Sequence, residues 1–383
     1  FAAVLERLGV TVPMKISPTT GKETYAFAKT DEGLKALQDH PEIKVQNLVS
    51  ARLGVKSTLE EKRTQRFIDI ADRGALPVPL RYYAAHTGRW GGDDKINMQN
   101  LPRGSQLKYA LCAPPGFTFI DCDLSQIEVR VLAWLAQQED ILTAFENGED
   151  VYRIMASTIY GKNTGEVTKE ERFVGKQTVL GCGYGMGFTR FQAQLQSLGV
   201  ALPTAECQHI IETYRNSFPQ IRSFWKDATT SLEAIMQLDH MPLGRGGVLQ
   251  VEGARGIRLP NGLYLRYPNL RNVINQETKR DEYVYDVKRG KALKENRIYG
   301  GKVVENICQA VARIVIGEQL LRVSKDYKIV MTVHDAIGCV VPEAEAEQAM
   351  INIEKAMKIR PVWATELPLD CEGGSGSSYG ECG

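Results

Sequence analysis

Residues 117–136 read FTFIDCDLSQIEVRVLAWLA, and two different periods meet inside them. From Phe117 to Leu124 apolar and polar residues alternate behind the breakers Pro114, Pro115 and Gly116, the pattern of a β-strand. From Ile127 the apolar residues recur at 127, 131, 132 and 135, one face of an α-helix. Ser125 is the expected N-cap, with Glu128 at the third helical position as in a capping box. A strand that runs straight into a helix leaves a carboxylate, Asp123, at the rim of the sheet. In an ordinary junction such an Asp is a cap or turn residue.

The strand needs neighbours, and KIVMTVHDAIGCVVP (328–342) supplies them. Its apolar runs IVMTV and IGCVV flank His334–Asp335, which predicts strand, tight turn and strand. Both runs are apolar enough to be central strands. Asp335 at the rim of such a sheet has to be solvated, hydrogen-bonded or metal-bound. It lies 212 residues beyond Asp123, so only folding brings the two together. Two carboxylates meeting there repel, and Mg²⁺ relieves the repulsion. Two ions held about 4 Å apart lower the pKa of an attacking hydroxyl and stabilise the leaving group of an in-line phosphoryl displacement. His334 is either a satisfied hydrogen-bonding residue or a contact to phosphate or sugar.

Three further stripes carry polar chemistry. Arg172, Lys176, Leu180 and Tyr184 stand four apart and share a helix face. The two cations repel by a few tenths of a kcal/mol, a cost that a triphosphate laid along the face turns into binding. Gly181, Gly183 and Gly185 loosen the end of that helix beside Tyr184. The alternative is a solvated basic stripe. Glu305, Gln309 and Arg313 share a face of an otherwise apolar helix predicted over 302–322. Thr87, Gly88, Arg89, Asn97, Gln99 and Asn100 concentrate donors in a stretch too rich in Gly and Pro for a long helix. Arg and Gln in these stripes suit minor-groove acceptors common to every base pair; plain loop satisfaction is the other account of the Asn and Gln residues.

The 383 residues, 43% hydrophobic, suffice for two or three domains or one multi-lobed fold without disulfide or metal staples. No run of about 18 apolar residues is free of charge, which excludes a membrane-spanning helix. The opening FAAVLERLGV reads as a helix fragment rather than a signal peptide, and its Phe in place of Met leads us to expect more chain upstream. There are eight cysteines and no CxxC, and most of them are expected to be small buried hydrophobes of an intracellular protein. Net charge is only +1, but its distribution is uneven. Residues 245–302 hold 13 Lys/Arg against 6 Asp/Glu, 52–108 hold 11 against 6, and 121–150 hold 1 against 8. A basic wall beside an acidic patch suits an enzyme that handles a polyanion with metal ions; chance patchiness is the alternative. Residues 1–75 read as mostly helical, with a loop KISPTTGKET and a helix capped by Ser57 or Thr58. Helices are also expected from about 150 to 160, from Lys169 to the glycines at 185 and 187, over 203–237 and over 343–358, with hairpins over 247–289. GGSGSS near the end reads as low complexity.

Six segments together resemble the family A DNA polymerases, the DNA polymerase I class, and in particular their phage members. DLSQIEVR (123–130) is similar to the first catalytic motif, RFVGKQTVLGCGYG (172–185) to the nucleotide-binding helix and VHDA (333–336) to the last motif. TGRWGGDDKINMQNLPRG (87–104) resembles the primer–template segment, DVYRIMASTIYG (150–161) a fingers segment and GGKVVENICQAVAR (300–313) the palm helix, in the family's order. The resemblance implies a mixed α/β right-hand fold with an antiparallel palm sheet and helical fingers and thumb. Residues 1–75 would be the C-terminal part of the thumb, 76–149 the first part of the palm, 150–245 the fingers and 246–383 the rest of the palm. It implies a DNA-directed DNA polymerase that takes dNTPs and two Mg²⁺ ions, with Mn²⁺ as a substitute. Asp123 and Asp335 would hold the metals. Arg172 and Lys176 would grip the triphosphate, with Lys176 also protonating the leaving pyrophosphate. Glu128, Gln126, Tyr152, Leu180 and Tyr184 would complete the nucleotide site, Glu128 pairing with Tyr184 and excluding a 2′-hydroxyl. Arg89, Asn97, Gln99, Gln309, Arg313 and His334 would touch primer and template. Expected partners are primer–template DNA and replisome proteins such as a helicase or processivity factor, for a monomer in the cytoplasm, the host's if the source is viral.

Two residues depart from the pattern. Leu180 stands where the family has Phe or Tyr against the incoming sugar, and Ala336 stands where it has Glu after the catalytic Asp. These departures keep open a catalytically weakened DNA-binding protein. A single-subunit RNA polymerase shares the two Asp residues, but Glu128 argues against it.

Overall fold

The computed structural model describes residues 1–16, 23–28, 31–54, 58–94, 96–102, 104–276, 279–289 and 292–382. The chain divides into two units, Phe1–Leu76 and Pro77–Gly383. In the first, helices Ala2–Arg7, Glu32–Ala36, Ile43–Gly54 and Thr58–Ala71 accompany a short hairpin, Met14–Ile16 with Glu23–Tyr25. Leu5, Leu34, Val45 and Val49 form its fully buried centre. The region expected to be mostly helical therefore also contains two short strands, and Lys15 on the first of them is ion-paired to Asp31 at 2.7 Å. Ser57, one of the two expected caps, and residues 17–22 of the expected loop lie outside the described residues.

The second unit is built around one antiparallel sheet. Its strands run in the order Ile329–Val333, Ala336–Pro342, Phe117–Leu124, Cys371–Gly376. The expected strand 117–124 is present and central, and the hairpin 329–342 forms around His334–Asp335. Of the two runs expected to be central, only 336–342 is; 329–333 lies at the sheet edge. The fourth strand corrects the low-complexity expectation. CEGGSG (371–376) pairs with 117–124 along its whole length, and its glycines are required by close packing. A Cβ on Gly374 would sit 1.9 Å from the Cys382 carbonyl, and one on Gly373 2.5 Å from the Met350 sulfur.

Helix Gly300–Val323, 24 residues long and mostly buried, packs against Ile127–Ala136, Pro219–Gln237 and Ala346–Met357, and the last of these lies on the sheet. Helix Lys169–Cys182 packs against Val151–Tyr160 so closely that a Cβ on Gly175 would stand 2.3 Å from the Tyr152 carbonyl. It ends at Cys182, sooner than the glycines at 185 and 187 suggested. The helix expected over 343–358 is a 3₁₀ turn, Glu343–Glu345, followed by Ala346–Met357. Pro219 splits 203–237 into Thr204–Ser217 and Pro219–Gln237, as its place at a helical first turn allows. Glu139–Glu146 and Phe188–Ser197 are further helices. Two smaller sheets, 240–265 and 271–298, account for the expected hairpins. Six cysteines are buried and all eight are free thiols. Among the described residues no helix is long and apolar enough to cross a membrane.

Candidate active site

The two acidic residues meet because of strand register. Ala336 pairs with Asp123 across the central strands, and the Leu124 amide donates to the Asp335 carbonyl at 3.1 Å. Asp335 thus sits in the turn beside Asp123, at the end of the strand that leads into helix 127–136. The turn itself is tight: His334 adopts a left-handed backbone, φ 53°. Asp123 is exposed and Asp335 half-buried. Desolvation, then the charge of Asp335 and of Glu372, pushes Asp123 up to about 6. Burial also raises Asp335, opposed by the nearby Arg89. Asp121, two residues back on the same strand face, is raised to about 7 by burial and by Asp123.

The strand–helix junction differs from expectation in its cap. The helix cap is Gln126, in a left-handed conformation at φ 54°, and not Ser125. The Ser125 amide is already committed to the Asp370 carbonyl at 2.9 Å, which fixes the backbone one residue too early for a serine cap. Glu128 consequently lies at the second helical position and reaches outward instead of back to the cap. It receives the guanidinium of Arg89 and the hydroxyl of Tyr184, the latter at 2.9 Å. Arg130, which sequence reasoning passed over, holds this junction. Its Nε donates to the Ser125 carbonyl at 2.7 Å, and its guanidinium lies 4.1 Å over the Phe145 ring. An arginine inside the apolar run VRVLAWLA was the available signal.

On helix 169–182 the structure places both Arg172 and Lys176 near the Tyr152 ring, at 5.6 and 5.9 Å from its centroid. Burial lifts the Tyr152 hydroxyl to about 12, so it stays neutral at physiological pH. Arg172 is ion-paired at 2.5 Å with Asp150, which also caps helix 151–160 by accepting from the Tyr152 and Arg153 amides. Leu180 is 38% exposed on this helix. Tyr184 follows the helix end, and its carbonyl would be 2.3 Å from a Cβ on Gly301. Half of the acidic patch of 121–150 is engaged by arginines, while Asp121 and Asp123 stay together on one strand face. Glu139 and Glu146 pair with Arg245 and Arg360, Asp150 with Arg172, and Glu128 with Arg89.

The remaining candidates separate. Asn97 accepts from the Gln99 amide at 3.1 Å and caps a 3₁₀ turn, which satisfies it locally. Gln309 bonds Glu305 at 3.3 Å, and Arg313 stacks 4.2 Å over Trp90, a partner no sequence period could pick out. Gln126 Oε1, Thr87 Oγ1 and Arg313 Nε are buried without a hydrogen-bond partner among the described residues. A separate cavity of about 400 Å³ is lined by Arg215, Arg222, Lys226, Trp225, Tyr299 and Gly185. It opens beside the residue after Tyr184 and brings three cations and two aromatic rings together with no acidic lining residue.

A divalent cation fits the acidic pair. Its donors are carboxylate oxygens alone, the hard ligands that Mg²⁺ takes, and the charge of Asp335 acts on Asp123. Among the described residues no three His, Cys, Asp or Glu side chains form a closed metal cage. An open site with one or two carboxylates, completed by water and substrate phosphate, is how Mg²⁺ is commonly held in phosphoryl-transfer enzymes.

Comparison with known proteins gives a consistent result. Residues 5–250 match DNA polymerase family A. The DNA polymerase of Bacillus phage SP02 is 29% identical over 334 residues, which cover 77% of this chain and 51% of that protein. The thermostable DNA polymerase I of Thermus aquaticus is 34% identical over 160 residues, 41% of this chain and 18% of that protein. The chain spans about half the length of the phage relative and less of the bacterial one. A solved structure described as the POL domain of Pol1 from M. smegmatis, in complex with DNA primer-template and dNTP, superposes with a TM-score of 0.70. It covers 100% of this chain and 61% of that one at 20% identity. Its mixed α/β palm, fingers and thumb are the fold seen here.

Proposed function

Because the chain belongs to the family A DNA polymerases, we propose that it adds deoxynucleotides to a primer 3′ end under the direction of a template strand, releasing pyrophosphate. One observation carries this reading: a continuous set of interactions from Tyr184 through Glu128 and Arg89 to Asp335, which ties the end of the nucleotide helix to the acidic pair. Asp123 and Asp335 are the residues that would hold the two Mg²⁺ ions, which supply activation of the primer hydroxyl and charge neutralisation at the leaving group.

The other residues act on the substrate directly. Arg172 exchanges its Asp150 partner for triphosphate oxygens, and Lys176 supplies a second cation and the proton taken up by pyrophosphate. Tyr152, neutral beside them, offers its ring to both. Glu128, held by two donors, fills the space that a ribose 2′-hydroxyl needs. Gln126 and Leu180 border the sugar. Arg89, Gln309, Arg313 and His334 follow the primer–template minor groove and backbone, with Asn97 and Gln99 shaping the loop beneath them. The cationic cavity beside Gly185 suits the phosphates and bases of the unpaired template strand.

On this reading residues 1–75 are thumb, 76–149 and 246–383 palm, and 150–245 fingers; the division at Leu76–Pro77 supports the first boundary. The likeness to the SP02 enzyme supports a phage-type branch, with the enzyme acting as a monomer in the host cytoplasm beside helicase or processivity proteins. The test is primer extension with Mg²⁺ and four dNTPs. Extension by the unaltered chain and its loss in Asp335→Ala are expected; equal extension by both overturns the assignment.

A further inference from the structure

The sheet that carries Asp123 sets another carboxylate beside it. Register places Ala336 and Glu372 directly across from Asp123 on its two neighbouring strands, so the three side chains form a row on one face. Directly opposed side chains in an antiparallel pair stand about 5 Å apart at Cβ. Like charges in that relation destabilise a sheet, and Glu372 is a cause of the raised proton affinity of Asp123.

Its surroundings offer Glu372 no compensation. Neighbouring acids are engaged: Asp370 with Lys358 at 3.0 Å, and Glu381 with the Ser377 amide at 2.7 Å. Glu372 is exposed and has neither an ion pair nor a hydrogen bond among the described residues. On the opposite flank Ala336 contributes only a methyl group. An unpaired carboxylate in register with a proposed metal ligand, on a strand whose other positions are mostly glycine, has no packing purpose.

We propose that Glu372 is a positioning residue of the polymerase site, adding negative potential and a water-accepting carboxylate beside the cation held at Asp123. It does not join a closed set of ligands, in keeping with the open site described above. The inference rests on the polymerase reading, so its test carries a control for that reading. Mn²⁺ binding is measured by electron paramagnetic resonance on the whole chain with a dideoxy-terminated primer–template and dNTP, where no chemistry occurs. The Mg²⁺ dependence of primer extension is measured in parallel.

Glu372→Gln is expected to raise the half-saturating cation concentration about 3- to 10-fold in both measurements, leaving primer–template affinity and the extension rate at saturating Mg²⁺ near those of the unaltered chain. Adding Ala336→Glu, which restores a carboxylate on the other flank, is expected to recover most of the loss. Unchanged half-saturation in Glu372→Gln, or a loss that the double variant leaves unrepaired, overturns the proposal. Asp335→Ala separates the two failures. If Asp335→Ala binds Mn²⁺ and extends primers like the unaltered chain, the polymerase reading itself is wrong and Glu372 falls with it.

Discussion

Glu128 is the residue on which most of the site's contacts converge. Arg89 and Tyr184 both donate to it, so its removal frees two donors and, on the proposed reading, opens the space beneath the sugar. Glu128→Ala is expected to raise ribonucleotide insertion relative to deoxynucleotide by about tenfold or more, the scale of losing a buried steric contact; single-nucleotide insertion kinetics measure it. Leu180 leaves part of its face open at 38% exposure, where an aromatic ring would fill more. Leu180→Phe is expected to speed insertion and shift the ratio of dideoxy- to deoxynucleotide use; identical rates and ratios would rule out a role at the sugar. The raised carboxyls at 123 and 121 also set a pH response. Both bind protons more tightly folded than unfolded. Their stabilising contribution is complete below about pH 4, where unfolded Asp titrates, and fades as pH rises through about 6 to 7. Without metal, the melting temperature is expected to fall between pH 5 and pH 8. Added Mg²⁺ is expected to restore more of it at pH 8, because there it no longer competes with protons.

Among the elements, glycine marks where two of them touch. Gly175 lets helix 169–182 lie on the Tyr152 carbonyl, and Gly374 lets strand 371–376 lie on Cys382. Either Gly→Ala change forces backbone apart and is expected to cost about 1–3 kcal/mol in thermal or urea unfolding. Gly175→Ala should in addition raise the KM for dNTP, since it moves Arg172 and Lys176 relative to Tyr152. The strand–helix junction at Asp123, the hairpin around Asp335 and the helix with Arg172 and Lys176 were all legible from hydrophobic period, because each is a long, self-consistent pattern. The cap at Gln126 was not, because a hydrogen bond from Ser125 to a carbonyl 245 residues away overrode local propensity. Strand 371–376 was hidden for a related reason: its glycines answer to Cys382 and Met350, contacts that no local period records. The charge count over 121–150 overstated the free acids, because Glu128, Glu139, Glu146 and Asp150 are paired with Arg89, Arg245, Arg360 and Arg172, partners that no local pattern records.

For the molecule as a whole, net charge near zero conceals a working surface that is locally cationic. The cavity lined by Arg215, Arg222 and Lys226 is one such part. Lys226→Ala is expected to weaken binding of templates with a 5′ overhang, alike for all sequences, and to flatten the slope of log affinity against log salt by roughly 0.7, the value for one phosphate of a single strand. Blunt-ended duplex should be unaffected. The sheet beneath the site has a different consequence. Asp123 sits on a strand whose partners come from segments more than 200 residues later, at 336–342 and 371–376. During synthesis at about 5–20 residues per second, that strand waits on the order of 10–50 s with both edges bare. A nascent chain halted by the ribosome before Gly376 therefore carries helix 169–182 and Asp123 but no finished floor beneath them, with a bare strand edge open to pairing with other chains.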